Sequence, residues 1–382
     1  MAFALAPTVP AYVAPPALAS PRPREVSYGV VEGGVARGTD RVVVFVDGRK
    51  AGEEAAGPTG FRLRVAIPPR DVAVRVVAED ALGNSAESRV EPVLGLPAGD
   101  QPGRPPEAHE DAPLARDVAA LVQRFRGVAA VYVEDLRTGA GAAWNARARF
   151  PAASTVKVAI AIEVLRRLRA RPPPGSSLDL LLERMLIESD NEAANALLAW
   201  IGGSQEAGAA RVTSMLASLG VSETVLYGGF LTAGAQGRPI PLAVEEQPPT
   251  VGKATTAYDL ARTFELVHLA AAGRGALVRL VPGSFSRGDA RFLLFQLAHS
   301  ADRGKLDRYT ADDAVVAHKG GWIDAARHDA GLVYSPSGVF VAAVLTWTGR
   351  YAGDASDDLA GRIAEAASKR LAVRPGTADP AT

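Results

Sequence analysis

The sequence predicts a small all-β sandwich followed by an α+β domain in which helices flank an antiparallel sheet. Three observations predict it. From Arg24 to Val93 apolar and polar residues alternate with a period of two. From Leu96 to Asp111 the composition turns to Pro, Gly and charge, as in an interdomain linker. Beyond it, long helical patterns bracket short strands as far as Leu371. At 382 residues the chain exceeds one average domain. The expected boundaries are a leader over 1–23, the sandwich over 24–95, the linker over 96–112, the α+β domain over 113–372 and a tail over 373–382.

In the sandwich, Phe61 to Ile67 alternates as a half-buried strand does. Val42 to Val46 is a β-branched run followed by Asp47-Gly48, a strong hairpin signal. Val72 to Val77 is a further strand, closed by Leu82-Gly83-Asn84-Ser85. Short strands between such turns suggest an immunoglobulin-like module. In the second domain Pro113 to Phe125 reads as a helix and Gly127 to Leu136 as a strand. Ser154 to Arg169, Leu178 to Glu188 and Glu192 to Trp200 read as helices, the last two separated by Ser189-Asp190-Asn191. Thr256-x-x-Asp259 has the form of a capping box and opens a helix. Ala330 to Tyr334 and Val339 to Trp347 are consecutive strands, and Asp357 to Leu371 is an amphipathic terminal helix.

Residues Met1 to Ala19 are apolar and close on Ala17-Leu18-Ala19, a small-x-small pattern of the kind signal peptidase cuts. No Lys or Arg precedes Arg22, and Pro7, Pro10, Pro15 and Pro16 interrupt any helix. The stretch reads as either a secretory signal or a disordered leader. No later segment reaches the roughly 18 uncharged apolar residues of a membrane span.

Composition removes several chemistries. With 42 Lys+Arg against 42 Asp+Glu, the formal charge is zero, which gives no general attraction to nucleic acid. The absence of Cys excludes disulfides, thiolate nucleophiles and Cys-ligated metals. The five histidines (His109, His268, His299, His318, His328) show no metal-ligand spacing, and the sequence has no Walker loop or dinucleotide fingerprint, so neither metal nor other cofactor is expected. The cations are lopsided. Only six are Lys (Lys50, Lys157, Lys253, Lys305, Lys319, Lys369), so Lys is expected where a guanidinium cannot act.

One constellation carries chemistry. Ser154 and Lys157 stand three apart at a predicted helix start, on one face and near the positive end of the helix dipole. A serine hydroxyl needs a base, and a buried Lys can serve because burial favours its neutral form. Arg cannot, since it keeps its proton. Ser189-Asp190-Asn191 interrupts two helices and suits proton relay or substrate hydrogen bonding; an ordinary helix-to-helix turn with Ser or Asp as N-cap is the plainer reading. Lys319-Gly320-Gly321-Trp322 places a cation beside backbone that can approach a ligand closely; a Gly-containing edge strand is the plainer reading.

Taken in order, Ser154-x-x-Lys157, Ser189-Asp190-Asn191 and Lys319-x-Gly321 resemble the three motifs of class A β-lactamases and penicillin-recognising serine enzymes. Phe150, Ala193-Ala194-Asn195, Thr255-Thr256 and Asp329-Ala330-Gly331 match the surrounding pattern, and the likeness spans Pro113 to Leu371. It implies a class A β-lactamase-like fold, with a sheet flanked by helices plus an all-helical lobe. It also implies that Ser154 attacks a β-lactam or acyl-D-Ala carbonyl to form an acyl-enzyme. Lys157 would accept its proton, and Ser189 would pass that proton to the leaving nitrogen. Lys319 would hold Ser189 and the substrate carboxylate, and Asn191 the acyl amide. The N–H groups of Ser154 and Trp322, with Gly321 letting the strand approach, would form the oxyanion hole. Arg327 is either a second cation for the carboxylate or a surface residue beside Asp329.

The chain departs from that pattern in three places. The Glu-x-x-Leu-Asn motif that supplies the deacylating carboxylate is absent, and Tyr227-Gly228-Gly229-Phe230 stands in its place. Glu245 and Glu246 are the later carboxylates in that loop, read mainly as solvated charges. The interval from Ser154 to Ser189 is short for the class, and Gly320 replaces a hydroxyl residue. The expected function is thus a secreted or cell-envelope serine hydrolase that forms an acyl-enzyme on Ser154 and hydrolyses it slowly for want of the usual Glu. A cell-wall peptidase or esterase of the same fold, and a non-catalytic wall-binding protein, are the alternatives. The expected partners are a β-lactam or peptidoglycan-derived substrate, and cell wall for the N-terminal module.

Overall fold

Alternating side chains build the first of two units into which the chain divides, residues 1–99 and 100–382. The structure, a computed structural model, describes residues 13–58, 60–97, 103, 106–168, 170–228, 253–280 and 284–371. The strands of the first unit are β1 (Ala17–Ser20), β2 (Glu25–Ser27), β3 (Val30–Gly34), β4 (Thr39–Val46), β5 (Arg49–Ala55), β6 (Gly60–Arg64), β7 (Asp71–Asp80) and β8 (Ser85–Gly95). They form a five-stranded sheet, β2-β8-β7-β4-β5, and a three-stranded sheet, β1-β3-β6. Val42, Val44 and Val46 of β4 and Val72, Val74 and Val76 of β7 meet Val31, Phe61 and Leu63 of the smaller sheet in one apolar core. The period of two seen in the sequence is the period of that core.

Asp47 and Gly48 both take positive φ (47° and 77°) between Val46 and its register partner Arg49. This is the two-residue turn that the Asp-Gly pair favours. Ala17-Leu18-Ala19, read from sequence as part of a leader, instead forms β1, with Ala17 opposite Gly34 and Leu18 opposite Gly33. A side chain at Gly33 would strike the Ala17 carbonyl, so the bare glycine lets the two strands close, and Leu18 packs on the core. The sandwich therefore starts before Arg24.

The second unit begins with β9 (His109–Glu110), which the sequence placed in the linker and which pairs in parallel with β11. It continues with α1 (Ala112–Arg124), β10 (Val128–Asp135), β11 (Ala140–Trp144), β12 (Phe150–Pro151), α2 (Lys157–Arg167), α3 (Ser177–Leu186), α4 (Asn191–Gly202) and α5 (Gln205–Ser218). Then come β13 (Ala254–Thr255), α6 (Ala257–Ala271), α7 (Gly275–Leu280), α8 (Arg287–Ala298), β14 (Val315–Ile323), β15 (Ala326–Ser335), β16 (Gly338–Trp347) and α9 (Asp354–Leu371). The sheet order is β14-β15-β16-β10-β11-β9, antiparallel except for its last pair. Ala129, Val131 and Val133 of β10 face α1 and α9 through Leu114, Val118, Val122, Leu359 and Ile363. The intervening Tyr132 meets Tyr258 of α6 edge-on, so α6 covers the opposite face.

Helix starts follow their caps. Asp111, Ser176, Asp190, Ser204, Thr256 and Ser286 each accept a backbone N–H of the first turn. Thr256 caps α6 from the N–H of Asp259, but the Asp259 carboxylate turns to Glu223 N and Thr224 Oγ1 instead of completing a box. α2 is buried along Lys157 to Leu165 and is the central rod of a helical lobe with α3, α4 and α5.

Candidate active site

Ser154 is presented by a turn that the sheet and a buried histidine hold in place. Phe150 pairs with Thr255, and the Ala152 N–H donates to the Lys253 carbonyl at 2.9 Å. His328 donates from Nε2 to the Pro151 carbonyl at 2.7 Å and accepts from the Thr346 N–H at Nδ1, 3.1 Å. The turn closes by Thr155 N to Ala152 O (3.2 Å) and Lys157 N to Ser154 O (3.1 Å). Ala153 there lies in the left-handed region at φ 47°, a strained conformation of the kind that collects at functional sites. The regular helix consequently starts at Lys157, three residues later than the sequence pattern suggests.

Lys157 is fully buried and donates to the Ser189 carbonyl (2.5 Å) and Asn191 Oδ1 (2.7 Å). Burial, reinforced by the charge of Lys319, lowers its pKa to about 7. Two N–H donors satisfy both acceptors in the neutral amine, and the lone pair can then take a proton. Ser189 sits between α3 and α4 at φ 61°. Its Oγ accepts from Lys319 Nζ at 2.8 Å and lies 3.4 Å from Lys157 Nζ. Asp190 secures the break by capping Ala193 N (2.8 Å) and pairing with Arg184. All three motifs thus meet at Ser189. Lys319 is also fully buried, and burial lowers its pKa to about 8 against the opposing pull of Asp302.

β14 is the edge strand of the sheet among the described residues, and its Gly321 lies against the Ser154 turn. A Cβ at Gly321 would stand 2.7 Å from Ser154 N and 2.9 Å from Thr155 N. That closeness sets the Ser154 N–H beside the backbone of Gly321 and Trp322, where an oxyanion hole needs its donors. Trp322 itself is 62% exposed. Arg327 is tied through Nε to Asp357 of α9 at 2.6 Å, a partner absent from both sequence readings. Asp329 is instead buried against His318 Nδ1 (2.8 Å) and the Leu306 N–H. Glu245 and Glu246 lie outside the described residues, while Tyr227 is half-buried. Among the described residues no group of three or more His, Asp or Glu is placed to hold a metal ion.

A family model described as the beta-lactamase enzyme family matches residues 113–173 and 169–371. The chain belongs to that family. Its fold is shared by the structure of PBP-A, at TM-score 0.56 and 21% identity over 70% of this chain and 98% of that one. The beta-lactamase from Sphaerobacter thermophilus DSM 20745 aligns at TM-score 0.54 and 23% identity, over 69% and 98%. An ancestral class A beta-lactamase aligns at 0.53 and 23%, over 67% and 99%. At these identities the likeness is one of fold. No curated protein matches the chain.

The family motifs do not include Lys253, Asp302 or Lys305, all of which stand at this site. Lys253 is 9% exposed, burial lowers its pKa to about 8, and its charge helps depress that of Lys157. Lys305 is buried against Asp302. The signal was the scarcity of lysine: four of the six (Lys157, Lys253, Lys305, Lys319) are buried here, while Lys50 and Lys369 pair with glutamates at the surface.

The histidine that anchors Pro151 gives a stability prediction. Burial lowers the pKa of His328 from 6.5 to about 4, and that of His268 to about 3. The unfolded chain therefore binds these protons first, and stability is lost as pH falls below about 6.5. The loss is roughly 2 kcal/mol per histidine by pH 5. Urea midpoints measured at pH 7 and 5 should differ accordingly; equal midpoints would refute the neutral, buried state of these rings.

Proposed function

We propose that this chain is a serine hydrolase that forms an acyl-enzyme on Ser154 with β-lactams or related acyl-D-Ala compounds, and releases it slowly. The observation that carries the reading is Ser189, whose hydroxyl and carbonyl link a depressed-pKa Lys157 to Lys319. In the acylation step Ser154 Oγ bonds the carbonyl carbon as its proton passes to Lys157 Nζ. The Ser154 and Trp322 N–H groups hold the developing oxyanion, at ~3 kcal/mol per donor. The C–N bond then breaks, and the proton returns through Ser189 Oγ to the leaving nitrogen. A PBP-A mutant has been captured as its acyl-enzyme complex with penicillin G, which supports this fold as a carrier of such an intermediate.

Deacylation needs a base for water. Tyr227-Gly228-Gly229-Phe230 offers no carboxylate where the family pattern has one, so the acyl-enzyme is expected to persist. A fluorescent penicillin should label the wild type and leave Ser154→Ala dark; a dark wild type would sink the proposal. The missing Glu also favours a second reading, a cell-wall peptidase or esterase using the same serine. Fast nitrocefin turnover without D-Ala release from a stem peptide would reject it.

A further inference from the structure

Gly320 holds the middle position of the third motif, and the space of its missing side chain is taken by residues from another element. A Cβ there would collide with Asp302 Oδ2 and Lys305 Nζ. These two belong to the loop after α8 and form an ion pair at 2.5 Å. The Lys305 side chain is 1% exposed and that of Asp302 is 26% exposed, so the carboxylate is the member that meets solvent. Partial burial opposes ionisation of Asp302, yet the Lys305 ammonium, helped by Lys319, holds its carboxyl below the usual range. Asp302 is in turn the strongest charged neighbour acting on Lys319. Arg327, the other cation nearby in sequence, is committed to Asp357.

We propose that Asp302 is a built-in occupant of the anion subsite beside Lys319 and Gly320, so that the site selects acyl donors whose leaving side lacks a free carboxylate. The proposal rests on the reading of Ser154 as nucleophile and Lys319 as the carboxylate-facing cation. A substrate carboxylate entering at Gly320 is repelled by the Asp302 carboxylate and must compete with it for the Lys305 and Lys319 ammonium groups, which costs affinity and acylation rate. A neutral ester or amide there meets no such repulsion, and an amide N–H can donate to Asp302.

The test uses the full chain and two probes, a fluorescent penicillin and the methyl ester of its ring carboxylate. Second-order rate constants for labelling Ser154 are measured with each, and the adduct is located by mass. The wild type should react at least about tenfold faster with the ester. In Asp302→Asn that ratio should fall to about one or below, and Asp302→Asn/Lys305→Gln, which leaves no uncompensated charge, should lose the preference too. A wild type that prefers the acid overturns the proposal without needing any variant. An ester preference unchanged in both variants overturns it as well. Labelling without selectivity refutes only the role of Asp302, whereas no labelling of Ser154 by either probe refutes the nucleophile reading beneath it.

Discussion

Replacing Lys157 with Arg is expected to slow acylation of Ser154 by about 10³-fold, within the range general-base groups contribute. The position is fully buried, and burial brings Lys157 to about 7, where the neutral amine is well populated. Arg keeps its proton in the same surroundings and offers no lone pair. Lys157→Met should lose as much, which separates missing basicity from the larger volume of Arg. The wild-type rate should rise as pH passes about 7, where Lys157 becomes neutral. It should fall above about 8, where Lys319 gives up the charge that holds Ser189. The two lysines interact, so these limits belong to the pair. Labelling rates from pH 5.5 to 9.5 check this: a flat profile between 6 and 8 would contradict Lys157 as the base.

Gly321→Ala should cost about 10²–10³ in the acylation rate, the amount typical of one lost oxyanion donor. The added Cβ would stand 2.7 Å from Ser154 N, 2.9 Å from Thr155 N and 3.1 Å from the Ala153 Cβ. None of these atoms can swing aside, so either β14 retreats or the Ser154 turn shifts. Both separate the N–H groups of Ser154 and Trp322. Gly320→Ala provides the contrast, since its collisions are with the ends of the Asp302 and Lys305 side chains, which can rotate away. Its rate should not fall by more than a few-fold. Equal losses in the two variants, measured with the same fluorescent penicillin, would show that the approach of Gly321 to Ser154 is not what positions the donors.

Much of this architecture was legible in the sequence because local rules produced it. The Asp47-Gly48 turn and the Thr256 cap depend on a few adjacent residues, and each appears where those residues stand. α5 and α8 left no comparable trace. α8 is buried along Ala290 to Ala298, so no polar face marks its period, and α5 buries small residues such as Gly208 and Ala209. β1 was hidden for another reason. Its apolar, small residues resemble a signal sequence, and only the bare edge at Gly33 makes them a strand. At the site, Ser154, Lys157, Ser189 and Lys319 announced themselves by spacing. The partners of Arg327 and Lys305 did not, because Asp357 and Asp302 reach them through tertiary packing that no spacing encodes.

The sequence by itself determined the alternation that builds the sandwich, the order of the three motifs, and a scarcity of Lys that still puts two of its six, Lys157 and Lys319, in those motifs. Tertiary structure decided what those lysines experience. Desolvation and the sum of neighbouring charges depend on which elements pack together, and they set Lys157 near 7 while Lys319 faces Asp302. The same packing turned a missing side chain at Gly320 into room for an ion pair from a distant loop, a consequence that only three-dimensional closeness can create.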